Sequence, residues 1–539
     1  MAVFNRLMGK MTPFQEFENK ILKTVPQQAG QVFEEILKGI GMGNPIESLF
    51  IKVFEGAAAL MRAREKPEII QDALLIGAAN HLYQPKRKEN MHLSISERLR
   101  HLYILGATGT GKSKLLEFLI RQDILAGRGI CFIDPHGDLY QNILDFLAGC
   151  CSGGNDPETS EKISKRLVLI DPACTEWVMG FNPLEAIGVN PYSQALEFMG
   201  ILKKLWSDAY WGPRMEELMR NTMVTLSLHG YTLLETKKIL TDPLFRGRLV
   251  ADLPEGEIKE YWLYRYNQLS DRMQATYREP ILNRLSVFLS DPSIRIMVGQ
   301  RESTINFRQI MDQGKWLLVN LSKGRLKSNA HLLGAFLIAK LQLSALSRVD
   351  ISEEKRFPFF VFVDEFQNFM SEDFETILSE ARKYGLGLTL VHQNMDQLDR
   401  QLRAAILGNT LTQVFFRISN QDATALAAEI GQREKPIIQR RLVNLNQREA
   451  YIKKKGEQAR VMKSLYVPPP RGTRKNASAL KQLSMSYHAR PRKEVEQEIA
   501  NRIHPLSREG ETPERYSPES DPHKGQYAPK KAYEEGYEW

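Results

Sequence analysis

Cysteine is scarce: Cys131, Cys150, Cys151 and Cys174 are the only four in 539 residues. None forms a C-x-x-C pair, and no histidines stand at zinc-ligand spacing. A disulfide framework and a zinc site are therefore excluded, and a reducing compartment suits the chain. The G-x-S-x-G nucleophile elbow is missing, and no cysteine sits in an arrangement that reads as a nucleophile. Long hydrophobic runs are missing as well. No window reaches the ~18 apolar residues of a membrane span. The nearest approach, Ile46 to Met61, is broken by Glu47, Lys52 and Glu55 and reads as an amphipathic helix. Met1 to Phe14 has no sustained apolar core, so no secretory signal is expected. A cytoplasmic protein is expected, one that meets a membrane only through a partner.

What is present is globular. Hydrophobic residues make up 42% and charged residues 25%, and the length predicts two or three domains. Lysine and arginine outnumber the acids 73 to 64, a net charge of +9 that favours a polyanionic partner such as nucleic acid.

The strongest local signal is Gly106-Ala107-Thr108-Gly109-Thr110-Gly111-Lys112-Ser113. It follows the apolar run His101 to Leu105 and precedes the amphipathic run Lys114 to Ala126. Strand, glycine-rich loop, helix is the context that turns G-x-x-x-x-G-K-S into a P-loop. Backbone N–H groups of Gly106, Thr108, Gly109, Thr110 and Gly111, with the helix start through Lys114, are expected to cradle phosphate oxygens. Lys112 is expected to reach the β- and γ-phosphates of ATP, and the Ser113 hydroxyl to hold Mg²⁺.

A second signal is the run Phe359-Phe-Val-Phe-Val363 ending in Asp364-Glu365. Continuous apolar residues read as a fully buried parallel strand, and ligands of open α/β sheets bind at its carboxyl tip. Asp364 is the expected second Mg²⁺ ligand and Glu365 the general base that polarises water. The bland alternative for such a pair is a solvated loop or a helix cap. Leu386 to His392 forms another apolar run, ending at Gln393, whose amide can bond both water and γ-phosphate or merely cap a loop. Between these strands, Glu380-Ala-Arg382-Lys-Tyr-Gly385 ends a helix. Arg382 there either complements the helix dipole or acts as an arginine finger on a neighbouring subunit; Arg417 is a second candidate. Asp134-Pro-His136-Gly-Asp138 ends another strand, where His136 contacts nucleotide or simply turns the chain.

Strand and helix patterns alternate on both sides of an all-helical stretch, which predicts an α/β fold with a mainly parallel sheet covered on both faces. The expected divisions are a helical N-terminal region at 1–70, and a motor domain in two parts, 71–187 and 306–470. Between them lies an inserted all-α subdomain at 188–305, and a mostly disordered tail follows at 471–539. A short strand is expected at Ala73 to Ala78, a polar turn at Lys86 to Asn90 and a late hairpin around Lys455-Gly456-Glu457. One short helix is expected near Lys493 to Ile503.

Taken together, these motifs resemble the HerA/FtsK superfamily of hexameric DNA-pumping ATPases. They resemble more closely the conjugative coupling proteins of type IV secretion, the TraD/TraG group. The likeness rests on His101 to Ser113, Phe132-Ile-Asp-Pro-His-Gly-Asp-Leu139, Trp211-Gly-Pro-Arg-Met-Glu216, Val363-Asp-Glu-Phe-Gln-Asn368, Glu380 to Gly385 and Val391-His-Gln393. It implies a RecA-like domain, six subunits around a channel, ATP and Mg²⁺ at subunit interfaces, and DNA contact. It also implies relaxase or secretion-channel partners. Arg382 matches the family's trans-acting arginine and is preferred to Arg417, and Arg98 or Arg100 matches an arginine that relatives carry upstream of the P-loop. Membrane-anchored coupling proteins carry N-terminal transmembrane helices that this chain does not show. It is expected to be a soluble coupling variant docking through residues 1–70. The alternatives are a cytosolic HerA-like translocase, a secretion ATPase with protein cargo, and a nucleotide-gated assembly scaffold.

Overall fold

The structure, a computed structural model, describes residues 73–80, 88–152, 157–186, 190–205, 212–322, 326, 329–369, 374–431 and 434–503. The expected helical region at 1–70, Trp211 and residues 504–539 of the expected tail lie outside the described residues. The strands run β1 Ala73–Asn80, β2 Lys88–Ser94, β3 Leu102–Leu105, β4 Gly129–Asp134, β5 Leu167–Ile170, β6 Trp177–Val178 and β7 Trp316–Asn320. They continue with β8 Phe359–Asp364, β9 Leu386–His392, β10 Thr412–Phe415, β11 Glu449–Lys454, β12 Arg460–Lys463 and β13 Arg490–Pro491.

Eleven of these form one sheet in the order β2-β1-β12-β11-β10-β3-β9-β8-β4-β7-β5. From β10 to β5 every pairing is parallel. These strands are short apolar runs, such as the Phe-Phe-Val-Phe-Val of β8, and β3, β4, β5, β8 and β9 are buried along their whole length. Such runs suit a sheet covered by helices on both faces. The other flank, β11, β12, β1 and β2, is antiparallel. The hairpin expected around Lys455 to Glu457 is β11–β12, and it pairs on to β1, a contact between residues far apart in sequence. The polar turn expected at Lys86 to Asn90 is displaced, since Lys88 to Asn90 belong to β2. Charged residues disguise this edge strand, whose Met91 and Leu93 are buried.

The described residues from Pro191 to Leu205 and from Pro213 to Val298 form helices and their connections, with no strand among them. Proline at the first turn opens the helices Pro213–Leu228, Pro243–Ala251 and Pro292–Val298, and Asp242 and Asp291 cap the latter two. The core of this helical segment includes Trp262, fully buried, whose indole N–H donates to Thr225 Oγ1 at 2.9 Å. Among the described residues one helical stretch, Asn329–Asp350, is long and apolar enough to cross a membrane. It lies between β7 and β8 and packs inside the fold: a Cβ on its Gly334 would stand 2.3 Å from the ring of Phe369.

Residues 471–503, expected with the disordered tail, are folded. Helix Arg474–His488 packs along β5, and Lys481 pairs with the buried Asp171 at that strand's tip. Arg490–Pro491 then pairs with Trp177–Val178. Helix Arg492–Ile503, which covers the expected helix, buries Val495 and Ile499 against Leu234 and Ile296 of the helical segment. Arg502 donates to Glu235 Oε1 at 2.8 Å. The run looks like tail because its few apolar residues are spaced for two narrow contact stripes.

Candidate active site

The sheet register brings the functional tips to one edge. Leu105 of β3 lies beside His392 of β9, and Val391 of β9 beside Asp364 of β8. The P-loop strand and the acidic strand are thus separated by β9 alone, so Gln393 emerges between them.

The loop after β3 closes on itself and leads into helix Lys112–Leu125. Ala107 O accepts from Thr110 Oγ1 at 2.7 Å and from Lys112 Nζ at 3.0 Å. Gly111 has φ 114°, a left-handed conformation that disfavours a side chain, and the backbone of Arg448 stands 3.4 Å from where a Cβ would sit. At Gly106 a Cβ would lie 2.5 Å from Cβ of Phe416. Lys112 is buried, and desolvation pulls its pKa down, opposed by Asp364 and Glu365. Ser113 is exposed on the first helical turn. The Lys114 side chain leans along the helix and pairs with Glu117 at 2.7 Å, while its backbone belongs to the first helical turn.

Glu365 is held from both sides. Gln393 donates its amide to Oε1, and Gln367 Nε2 donates to Oε2 at 2.8 Å. The other end of Gln393 accepts from Thr108 Oγ1 at 2.8 Å. A continuous chain of hydrogen bonds therefore runs from the P-loop through β9 to the acid. Glu365 also takes φ 48°, an uncommon left-handed conformation for a non-glycine residue. Its N–H bonds Asp364 Oδ1 at 3.0 Å and its carbonyl accepts from Asn368 at 2.9 Å, which hold it there. Burial, then Glu365 and Asp134, push the Asp364 carboxyl up to about 7 against the pull of Lys112. A buried acid with too few counter-charges and an exposed hydroxyl at the helix start are hard oxygen donors of the kind Mg²⁺ takes. The left-handed loop and Lys112 fit a polyphosphate.

Other sequence candidates fall elsewhere. Asp134 accepts from the backbone N–H of His136 and Tyr140 at 2.9 and 2.7 Å, so it shapes a turn and starts a helix. His136 is exposed. Arg98 is buried, bonded to both oxygens of Asp123 at 2.7 and 2.5 Å and stacked on Phe360, so it is a structural ion pair. Arg417 is exposed on the P-loop edge, its carbonyl accepting from Ala107 N at 2.8 Å. Arg382 is exposed at the opposite edge, just before β9. The seven residues of β9 put about 23 Å between that edge and its own P-loop. Two residues of the site had no role assigned from sequence, Gln367 and Arg448. Gln367 lies two places after Glu365, where only a turn places its amide on the acid.

Two buried histidines frame this region, and both are neutral. His101 donates from Nε2 to Leu378 O at 3.0 Å and accepts at Nδ1 from Leu388 N at 3.1 Å. Burial lowers its pKa to about 4, with Arg382 adding to the shift. Burial, and then Lys112, lower that of His392 to about 3. The unfolded chain takes up these protons near pH 6.5 and the folded chain does not, so stability is lost as pH falls below about 6.5. The melting temperature should drop steadily from pH 6.5 to 5, and His101→Gln should flatten part of the drop. A melting temperature that stays level across this window would contradict neutral burial.

The family models agree with this layout. "Helicase HerA, central domain" matches residues 86–195, which carry the P-loop. "TraM recognition site of TraD and TraG" matches 358–461, which carry Asp364, Glu365 and Gln393. The chain resembles the HerA/FtsK-type P-loop ATPases. The DNA double-strand break repair helicase HerA of Sulfolobus acidocaldarius is 22% identical over 326 residues, 58% of this chain and 55% of that protein. Its counterpart in Saccharolobus solfataricus is 21% identical over 335 residues, 60% and 56% of the two chains. The chain thus spans about half the length of these curated relatives. Among solved structures, plasmid coupling protein TrwB with ADP and Mg²⁺ aligns at TM-score 0.53 and 18% identity, over 74% of this chain and 96% of that one. TrwB with the ATP analogue ADPNP aligns at 0.52 and 19%, over 77% and 94%. The fold is therefore the RecA-like fold of TrwB, and the chain resembles the coupling proteins.

Proposed function

We propose that this chain is an ATP-driven DNA translocase of the coupling-protein kind, hydrolysing ATP at the subunit interfaces of a homo-hexameric ring. The observation that carries the reading is the acid pair Asp364–Glu365, set beside Lys112 and linked to the P-loop by Gln393. Lys112 and the N–H groups from Gly106 to Ser113 bind the triphosphate, and Ser113 and Asp364 hold Mg²⁺. Held by these two side chains, Mg²⁺ would supply positive charge against the phosphate oxygens, with Asp364 serving as a carboxylate ligand. Glu365 Oε1 takes the proton of the attacking water, and the amide of Gln393 moves from Glu365 to orient that water against the γ-phosphate. Arg382, on the far sheet edge from its own loop, supplies positive charge to the next protomer.

DNA contact is with phosphates, so it tolerates sequence and weakens with salt. The partners of this reading are a relaxase and a secretion channel, which hold an otherwise cytoplasmic protein at a membrane. The HerA central-domain match favours a second reading, a cytosolic HerA-like translocase in DNA processing. Both predict the same first experiment: steady-state ATPase against protein concentration, with and without DNA, alongside light-scattering mass. Turnover should rise steeply with assembly and further with DNA. Glu365→Gln should bind ATP and turn over about 10²–10⁴-fold more slowly. Flat, DNA-insensitive activity would discard both readings and leave a protein-cargo ATPase. Turnover below about one per minute when assembled and DNA-saturated would leave a nucleotide-gated scaffold.

A further inference from the structure

The acid pair fixes which way a nucleotide must lie. Glu365 and Gln393 stand on the β9–β8 side of the P-loop, so the γ-phosphate end points there. The nucleoside end then falls on the other side of β3, over the tips of β10, β11 and β12.

That side holds a feature the reaction has not used. Arg448, the residue before β11, takes φ 71°, a costly conformation for a long side chain. It is held there by the P-loop and the hairpin together. Its N–H donates to Thr110 O at 2.9 Å, and its carbonyl accepts from Ser464 N at 2.8 Å. The guanidinium donates to Ser464 O at 3.2 and 3.0 Å from Nε and Nη2. It also lies 5.9 Å from the ring centroid of Tyr466. Tyr466 is 46% exposed, although Leu465 and Val467 on either side of it are buried. The strained Arg448 thus links the P-loop to the open ring: its backbone bonds Thr110 and fits the space left by the missing Cβ of Gly111, and its side chain reaches Tyr466.

We propose that Tyr466 and Arg448 form the nucleoside face of the site. The Tyr466 ring stacks the base, and the Arg448 guanidinium stiffens the ring from behind and stands beside the ribose and α-phosphate. This rests on the reading of the P-loop as a nucleoside triphosphate site and adds the part that grips the nucleoside. Stacking of this kind is tolerant of which base it receives, because every base has a π-face.

The test compares two ligands that differ in the nucleoside, Mg·ADP and Mg·tripolyphosphate, by calorimetry on the full chain. Tyr466→Ala should weaken ADP about 5- to 100-fold and leave tripolyphosphate unchanged, whereas Tyr466→Phe should keep ADP affinity. ADP affinity unchanged in Tyr466→Ala would overturn the proposal. So would an equal loss for both ligands, since the ring would then only brace the loop. Lys112→Ala separates the two levels: it should lose both ligands. Full retention of both would sink the P-loop reading itself, whatever Tyr466 does.

Discussion

Lys112→Ala should abolish ATP turnover and reduce nucleotide binding below detection. The ammonium is buried in the loop, with Nζ 3.0 Å from Ala107 O, and it opposes the charge of Asp364 and Glu365. Alanine would leave two carboxylates facing an incoming triphosphate without the ammonium that opposes them. Like charges at such range, in a medium less polar than water, repel by several kcal/mol. Loss of the lysine also removes the charge that draws the Asp364 carboxyl down, leaving only the Glu365 N–H to do so, and Asp364 would be protonated over a wider pH range. Turnover and ADP binding measured on the folded variant decide it. Near-wild-type hydrolysis would dismiss the whole site assignment.

Arg382→Ala should lower turnover of the assembled protein about 10³–10⁵-fold while leaving ATP binding nearly intact. The reason is placement. Arg382 is exposed at the amino edge of β9, and the P-loop lies past the carboxyl edge of the same sheet. Within one chain the sheet stands between them, so the arginine can act only on a neighbour. Mixing gives the sharp result. Arg382→Ala and Lys112→Ala should each be inactive alone. In the proposed ring, a mixture would pair the intact P-loop of the first with the intact Arg382 of the second, and activity should return. Mixing without recovery would remove Arg382 from the reaction. Recovery in an Arg417→Ala mixture instead would pass the role to Arg417, which otherwise sits on the edge of its own P-loop.

Strongly periodic or motif-bearing segments were legible from sequence. The runs ending at Leu105, Asp364 and His392 are the parallel strands they promised, and their polar ends reach one edge. The helical segment between Pro191 and Val298 shows the spacing and caps that sequence reasoning looks for. Legibility failed where a segment's partner is distant. β2 opens with the polar run Lys88-Glu-Asn90, as suits an edge strand, so that run read as a turn. Helix Arg474–His488 read as tail because Lys481 and a few apolar side chains find their partners on β5 and Asp171, more than three hundred residues earlier. Arg98, one of two arginines that resemblance offers upstream of the P-loop, is enclosed by Asp123 and Phe360, partners that no local window of sequence shows.

By itself, the sequence determined the chemistry available: a loop with the glycines and lysine that phosphate needs, an acid pair at the end of a buried strand, and a glutamine at the end of another. These are local consequences of residue type and spacing, since φ, burial pattern and charge are set within a few residues. Only the tertiary structure decided which groups meet. It inserted β9 between the P-loop strand and the acidic strand, which joined Thr108, Gln393 and Glu365 and brought Gln367 to the second oxygen. It laid the β11–β12 hairpin against Gly111 and put Arg382 on the far edge. Strand order and register come from packing between distant segments, and no window of sequence contains both partners of such a contact.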